Sequence, residues 1–366
     1  MKFFIKTLGC KVNQYESEVM AQKLQSMGWE MTTPQTASAG PDVVIINTCT
    51  VTQKAAMQSR QATRQAIRAH PSARIVVTGC HAQIHQDEIS RIEGVDTIVG
   101  QDRKHMIPGL LSGQVEALLD EDRNTAAPGP DVQAFDPLTP ALLGVRTRPF
   151  LKIQDGCNAF CTYCIVPYTR GRSRSMPPDL AMAHITRIAQ AGYRETVLTG
   201  SHLGCYGQDL DPRITLLDLL NRIHTTQAIA RVRLSSIEPH ELSDDILQLV
   251  ARSDVRPGQI CNHFHIPLQS GDDQILQNMH RPYRRNDFIE LINRIQQTVP
   301  EAGIGVDVLV GFPGETASAF ENTHALIEQL PVTYLHVFPF SSRPGTVAAR
   351  LPDPVPADVI KQRSHI

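Results

Sequence analysis

The sequence predicts an α/β chain in two parts: an N-terminal parallel α/β domain, then an incomplete parallel barrel of six βα units. Three features predict it. Within residues 1–118, short β-rich runs alternate with stretches whose apolar residues recur at helical spacing. Between 119 and 144 the text turns acidic and proline-rich, with Pro128, Pro130, Pro137 and Pro140, which sustains neither a helix nor a central strand. From 145 to 345 six further runs alternate with helical stretches.

In the first part the runs are 3–8, 42–47, 73–78 and 96–99. Val19, Leu24 and Met27, then Ala62, Ala66 and Ala69, lie three to five residues apart, as in helices packed on a parallel sheet. Residues 119–144 are expected to be a linker. The strands of the second part are expected at 150–153, 196–198, 232–235, 263–267, 305–310 and 334–338. A helix is expected over 179–191, opened by Pro177-Pro178, stopped by Gly192 and burying Met182, Ile185 and Ile188. Another is expected over 315–330, with Phe320, His324 and Ile327 inward. Ligands of such parallel sheets bind at the carboxyl ends of the strands.

Composition narrows the class. With 35 Lys+Arg against 37 Asp+Glu, a net charge of −2 excludes a uniformly basic nucleic-acid binder but allows a local basic surface. The longest apolar runs, 43–46 and 306–312, fall far short of the roughly 20 residues that span a bilayer, and Lys6 comes too soon for a signal peptide. A cytoplasmic protein without membrane association is expected, and in that reducing compartment the 8 cysteines are thiols open to metal or catalysis.

Three of them form the clearest chemical signal, Cys157-x3-Cys161-x2-Cys164, in a loop after the first strand of the second part. Three thiolates at this spacing can hold an iron–sulfur cluster with one iron left open to a ligand. Structural zinc is the competing reading, but it wants four protein ligands, and no further His or Cys lies close by in sequence. Cys10, Cys49 and Cys80 are far apart in the chain, yet each follows a predicted strand by one to three residues, so a parallel sheet would place them on one edge. Singly each reads as a small buried hydrophobe; jointly they read as a second ligand set. Cys205 and Cys261 lack such placement and are assigned to packing.

The loop resembles that of the radical S-adenosylmethionine enzymes, whose partial barrel the six βα units also match. The segments Thr7-Leu8-Gly9-Cys10-Lys11-Val12-Asn13-Gln14-Tyr15-Glu16-Ser17-Glu18, Asn47-Thr48-Cys49-Thr50-Val51-Thr52 and Thr78-Gly79-Cys80-His81-Ala82-Gln83 resemble the methylthiotransferases among them. Later segments agree, among them Ser235-Ser236-Ile237-Glu238-Pro239, His265-Ile266-Pro267-Leu268-Gln269-Ser270-Gly271 and Val310-Gly311-Phe312-Pro313-Gly314-Glu315-Thr316. The wording after the first two cysteines is most similar to the branch that modifies N6-threonylcarbamoyladenosine beside the tRNA anticodon. The isopentenyladenosine branch typically has Gln-Met-Asn and Arg-Glu-Lys where this chain has Lys11-Val12-Asn13 and Val51-Thr52-Gln53. The alternatives are that second branch and a non-catalytic cluster-binding RNA module. Family members usually end in a small RNA-binding TRAM domain; residues 346–366 are expected to be a tail leading to it, with the domain itself absent.

The resemblance implies two [4Fe–4S] clusters. Cys157, Cys161 and Cys164 would carry the catalytic one, whose open iron takes S-adenosylmethionine; Cys10, Cys49 and Cys80 would bind the auxiliary one. It further implies that one S-adenosylmethionine supplies a 5′-deoxyadenosyl radical to activate C2 of the adenine and a second the methyl group. The reaction needs an electron donor such as flavodoxin or ferredoxin, and the partner is the tRNA anticodon stem-loop rather than DNA. For S-adenosylmethionine contacts the strand ends offer Gly200, Ser236, Glu238, Gln269, Ser270 and Gly311; turn geometry is the plainer reading of the two glycines. Arg146, Arg148, Lys152, Arg170, Arg172 and Arg174 face one acid, Asp155, between 146 and 175. Arg170, Arg172 and Arg174 are expected to bind RNA phosphates, with Tyr163 or Tyr168 offering a stacking face and Arg281, Arg284 and Arg285 a second patch.

Overall fold

The computed structural model describes residues 1–32, 40–113, 146–253 and 258–366, so the expected linker at 119–144 lies outside the described residues. The described chain divides into two units. The first holds residues up to Phe150 together with Ile165–Arg172; the second holds Leu151–Cys164 and Ser173–Ile366.

The first unit is a five-stranded sheet built from β1 (Lys2–Thr7), β2 (Glu30–Met31), β3 (Val43–Thr48), β4 (Arg74–Gly79) and β5 (Thr97–Val99), in the order β2-β1-β3-β4-β5 and parallel throughout. Every residue of β3 is buried, as the run Val43-Val44-Ile45-Ile46 requires of a central parallel strand covered on both faces. One face packs Phe3, Ile45 and Val76 against Met20 and Leu24 of helix Lys11–Ser26; the other packs Val44, Ile46 and Val77 against Ala62 of helix Gln53–Ala69. The four longer strands match the sequence expectation, and β2, two residues long, carries no periodic signal.

The second unit contains the six expected strands with β7, β8 and β11 added: β6 (Phe150–Lys152), β7 (Gln154–Asp155), β8 (Arg174–Ser175), β9 (Glu195–Thr199), β10 (Arg231–Leu234), β11 (Gln259–Ile260), β12 (His263–Gln269), β13 (Gly303–Val310) and β14 (Tyr334–Pro339). They form a sheet in the order β11-β10-β9-β6 and a parallel sheet β12-β13-β14, with β7 and β8 as a short antiparallel pair. The two larger sheets meet where Ile237 N–H donates to the His265 carbonyl at 3.0 Å. This is an open parallel barrel.

Helix Pro178–Gln190 buries Met182, Ile185 and Ile188 as expected. Helix Ala317–Gln329 is turned from the expected face: Ala319, Thr323 and Leu326 are buried, and Phe320, His324 and Ile327 lie at the boundary. The same period fits both faces, and the choice rests on Thr323, whose hydroxyl accepts from Gly271 N–H at 2.8 Å. Residues 346–366 are not a bare tail. Helix Ala357–Arg363 packs Ile360 onto Gly311, and Arg363 pairs with buried Glu315 at 2.5 Å. No described helix is long and apolar enough to cross a membrane.

A buried charge cluster marks the first unit. Glu16 accepts from Lys104 Nζ at 2.7 Å and Arg170 Nη1 at 3.0 Å, and the Glu16 and Lys104 side chains are 1% and 3% exposed. Burial pushes the Lys104 pKa down, opposed by the carboxylate. Removing that anion takes the paired carboxylate away from two buried cations, so Glu16→Ala is expected to cost about 3–5 kcal/mol, read as a lower urea midpoint in equilibrium unfolding of the full chain.

Candidate active site

Cys10, Cys49 and Cys80 follow β1, β3 and β4, three adjacent strands, and so stand at one carboxyl edge of the sheet. Gly9 precedes the first at φ +97 and Gly79 the third at φ +98, a region that glycine enters without strain. Both are also tightly enclosed. A Cβ on Gly9 would lie 2.7 Å from Cys49 Cβ, and one on Gly79 would collide with the Thr48 carbonyl.

The loops are tied from below by residues of the Lys-Val-Asn-Gln-Tyr-Glu segment. Asn13 Nδ2 donates to the carbonyls of Leu8 (2.7 Å) and Thr48 (2.9 Å), each close before a cysteine, and its Oδ1 accepts from Arg170 Nη2 at 2.7 Å. Asn47 Oδ1 accepts from Lys104 Nζ at 2.9 Å. Burial raises the Cys49 pKa to about 11, helped by the neighbouring Cys80 and Cys10 charges. Burial also raises Cys80, against the pull of Arg170 and Lys104. Three thiols outside any disulfide, brought to one sheet edge with the Arg170 and Lys104 charges acting on Cys80, suit a metal cluster bearing thiolates.

In the second unit, Gln154 and Asp155 fix the base of the Cys157 loop. The buried Gln154 amide donates to Gly156 O (2.8 Å) and Ser173 Oγ (3.0 Å), while its Oε1 accepts from His202 N–H at 2.7 Å. Asp155 accepts from Gly156 N–H at 2.9 Å and pairs with Lys152 at 3.1 Å. On the loop itself, His202 Nδ1 lies 3.3 Å from Cys157 Sγ, and Arg281 Nη1 donates to Cys161 Sγ at 3.2 Å. Burial opposes a charge on the His202 ring, but contacts with Cys157, Cys205 and Glu241 outweigh it and hold its pKa above the ordinary histidine value. Burial raises the Tyr163 hydroxyl despite Arg281. Three thiols outside any disulfide, with His202 Nδ1 beside one sulfur and the Arg281 guanidinium donating to another, match what an iron–sulfur loop requires.

Several expectations need correction. Arg170 is buried against Glu16 and Asn13, and Arg174 is buried 3.7 Å from Asp155, so neither faces phosphate; Arg172 is exposed. Lys152 is likewise spent on Asp155. Arg281 is buried between Glu238 and Cys161 and leaves the proposed second patch to Arg284 and Arg285. Of the two tyrosines, Tyr168 is exposed, while Tyr163 packs against the core that holds Met279 and Phe312.

Among the strand-end candidates, Glu238 is paired with Arg281. The space beside Gly200 is filled by Gln154 and that beside Gly311 by Ile360, so both glycines serve protein packing. Ser270 is buried and accepts from Asp272 N–H at 3.2 Å, a turn contact. Exposed Ser236 and half-buried Gln269 remain at the rim. Cys261 is buried as expected, but Cys205 is more than packing, since its Sγ lies 3.5 Å from His202 Nδ1 and 3.3 Å from Glu241 Oε1.

A cysteine loop of this kind on an open parallel barrel defines the class, and comparison agrees: residues 151–327 match the Radical SAM superfamily and residues 2–100 the uncharacterized protein family UPF0004. The solved structure of the radical S-adenosylmethionine methyltransferase TsrM from Kitasatospora setae shares the fold, at TM-score 0.68 and 14% identity over 94% of this chain and 76% of that one. At sequence level, the threonylcarbamoyladenosine tRNA methylthiotransferase MtaB of Bacillus subtilis (strain 168) is 41% identical over 98% of this chain and 78% of its own length. That of Aquifex aeolicus (strain VF5) is 36% identical over 100% and 87%. A tRNA-2-methylthio-N(6)-dimethylallyladenosine synthase of Clostridium botulinum (strain Loch Maree / Type A3) is 33% identical over 99% and 79%. The chain belongs to the radical SAM tRNA methylthiotransferase family.

Proposed function

We propose that this protein adds a methylthio group to C2 of N6-threonylcarbamoyladenosine at position 37 of tRNA, in the anticodon stem-loop. The observation that carries the reading is near-full-length similarity to threonylcarbamoyladenosine methylthiotransferases, at 35–41% identity, against 32–33% for the dimethylallyladenosine enzymes. The cytoplasm, where tRNA and a flavodoxin- or ferredoxin-like electron donor are found, is its proposed location.

Cys157, Cys161 and Cys164 would hold one [4Fe–4S] cluster and Cys10, Cys49 and Cys80 the other. When bound, these groups and S-adenosylmethionine supply radical cleavage, the methyl group and the transferable sulfur, chemistry that side chains lack. The protein's own work is placement. Gln154 and Asp155 fix the base of the catalytic loop, Asn13 ties the Cys10 loop to the Cys49 loop, and Thr48 Oγ1, accepting from Ala82 N–H, ties the Cys49 loop to the Cys80 loop. Ser236 and Gln269 are the residues proposed to meet S-adenosylmethionine at the barrel rim.

Arg172 and Tyr168, exposed on one short segment, are proposed to meet the RNA backbone and a base. Arg172→Ala is expected to weaken tRNA binding and to lower the salt dependence of log K by about one charge, measured by filter binding across salt concentrations. The function itself is tested by deleting the gene and analysing tRNA nucleosides. Loss of 2-methylthio-N6-threonylcarbamoyladenosine, with the isopentenyl counterpart unchanged, is expected; the reverse pattern would overturn the assignment.

A further inference from the structure

Two glutamates of one short segment after β10 each lie against a nitrogen-bearing side chain whose other end touches a different sulfur of the three-cysteine loop. Glu238 pairs with Arg281, and Arg281 Nη1 lies 3.2 Å from Cys161 Sγ. Glu241 Oε1 lies 2.8 Å from His202 Nε2, and His202 Nδ1 lies 3.3 Å from Cys157 Sγ. We propose that Glu238–Arg281 and Glu241–His202 are paired positioning devices that hold N–H donors on the Cys157 and Cys161 sulfurs and thereby set the reduction potential of the catalytic cluster. This rests on the proposal that these cysteines hold that cluster.

The geometry is specific on both sides. A guanidinium has donors only, so at 3.2 Å from sulfur Arg281 can only donate. Its aim is fixed by a second bond, Nε to Tyr283 Oη at 2.9 Å, and Tyr283 in turn donates to the Pro267 carbonyl at 2.7 Å. His202 is held through its backbone by Gln154 and has Glu241 Oε1 2.8 Å from Nε2, while Nδ1 lies 3.3 Å from Cys157 Sγ and 3.5 Å from Cys205 Sγ. Gly204 completes the second device, because a Cβ there would collide with the Glu241 carboxylate. The Arg281 and His202 side chains are 3% and 9% exposed, so water competes little for either donor.

Hydrogen bonds to cluster sulfurs and nearby positive charge stabilise the reduced state, which carries one more electron, and so raise the potential. Losing one donor from a charged acceptor is expected to shift the reduction equilibrium about tenfold. For a one-electron couple that is about 59 mV downward.

The test uses the full chain with Cys10, Cys49 and Cys80 replaced by alanine, so that only one cluster is reconstituted. Anaerobic potentiometric titration with dithionite as the electron source, followed by electron paramagnetic resonance, reads the midpoint. His202→Leu and Arg281→Met are expected each to lower the ratio of reduced to oxidised cluster at fixed potential about tenfold. His202→Asn, which keeps an N–H donor near the Nδ1 position, and Arg281→Lys are expected to recover most of the shift. Unchanged midpoints in His202→Leu and Arg281→Met, with about four irons retained, would overturn the proposal while leaving the cluster reading intact. If those two variants lose the cluster, Glu238→Gln and Glu241→Gln give the reading, and unchanged midpoints there overturn it equally. No iron in the parent would overturn the cluster reading and this proposal together.

Discussion

Cys161→Ala is expected to halve the iron of the reconstituted chain, from about eight to about four atoms, and to abolish formation of 5′-deoxyadenosine from S-adenosylmethionine. Cys161 sits in a loop whose base is fixed by Gln154 and Asp155 and whose sulfur already has an aligned donor in Arg281. Alanine removes one of only three thiolates, and the loop offers no fourth cysteine as a substitute. Folding should survive, because Cys161 is half-exposed and fills no core. Unchanged far-ultraviolet circular dichroism with lost 5′-deoxyadenosine, measured by liquid chromatography and mass spectrometry, is therefore the expected pair of readings. Retention of eight irons would place the cluster elsewhere.

Cys49→Ala is expected to separate the two halves of the reaction. Iron should again fall to about four, and the methylthio nucleoside should drop by at least about a thousandfold, while 5′-deoxyadenosine continues to form. The argument is placement: Cys49 follows β3, the strand between those that deliver Cys10 and Cys80, and its side chain lies against Gly9. Ala at this buried position loses only the sulfur's packing, about 1 kcal/mol, so a stable chain defective in one step is expected. Equal loss of both products would show instead that the auxiliary thiols support the catalytic loop.

Much of this was legible in the sequence for a definite reason. Parallel strands buried on both faces, such as β3, β4 and β13, read as apolar runs, and the cysteines behind β1, β3 and β4 could be aligned because such a sheet has one carboxyl edge. What escaped was contact between residues distant in sequence. Arg170 looked like a phosphate ligand beside Arg172 and Arg174, yet it closes an ion pair with Glu16, 154 positions away. His202 lies 45 positions from Cys157 and 39 from Glu241 by numbering, so no local spacing marks it. The strand-end position of Glu238 points to a ligand contact, and only the fold reveals Arg281 beside it. The basic stretch 146–175 misled for a related reason: charge composition does not report which side chains are turned inward.

The most direct test of the central claim is methylthiolation in vitro. The chain, reconstituted anaerobically with iron and sulfide and reduced in the presence of S-adenosylmethionine, is given tRNA carrying either N6-threonylcarbamoyladenosine or N6-isopentenyladenosine, and the nucleosides are weighed by mass spectrometry. The expected result is about eight irons per chain and a methylthio product from the threonylcarbamoylated tRNA alone. A product from the isopentenylated tRNA alone, or a chain holding tightly bound zinc and no iron, would contradict it.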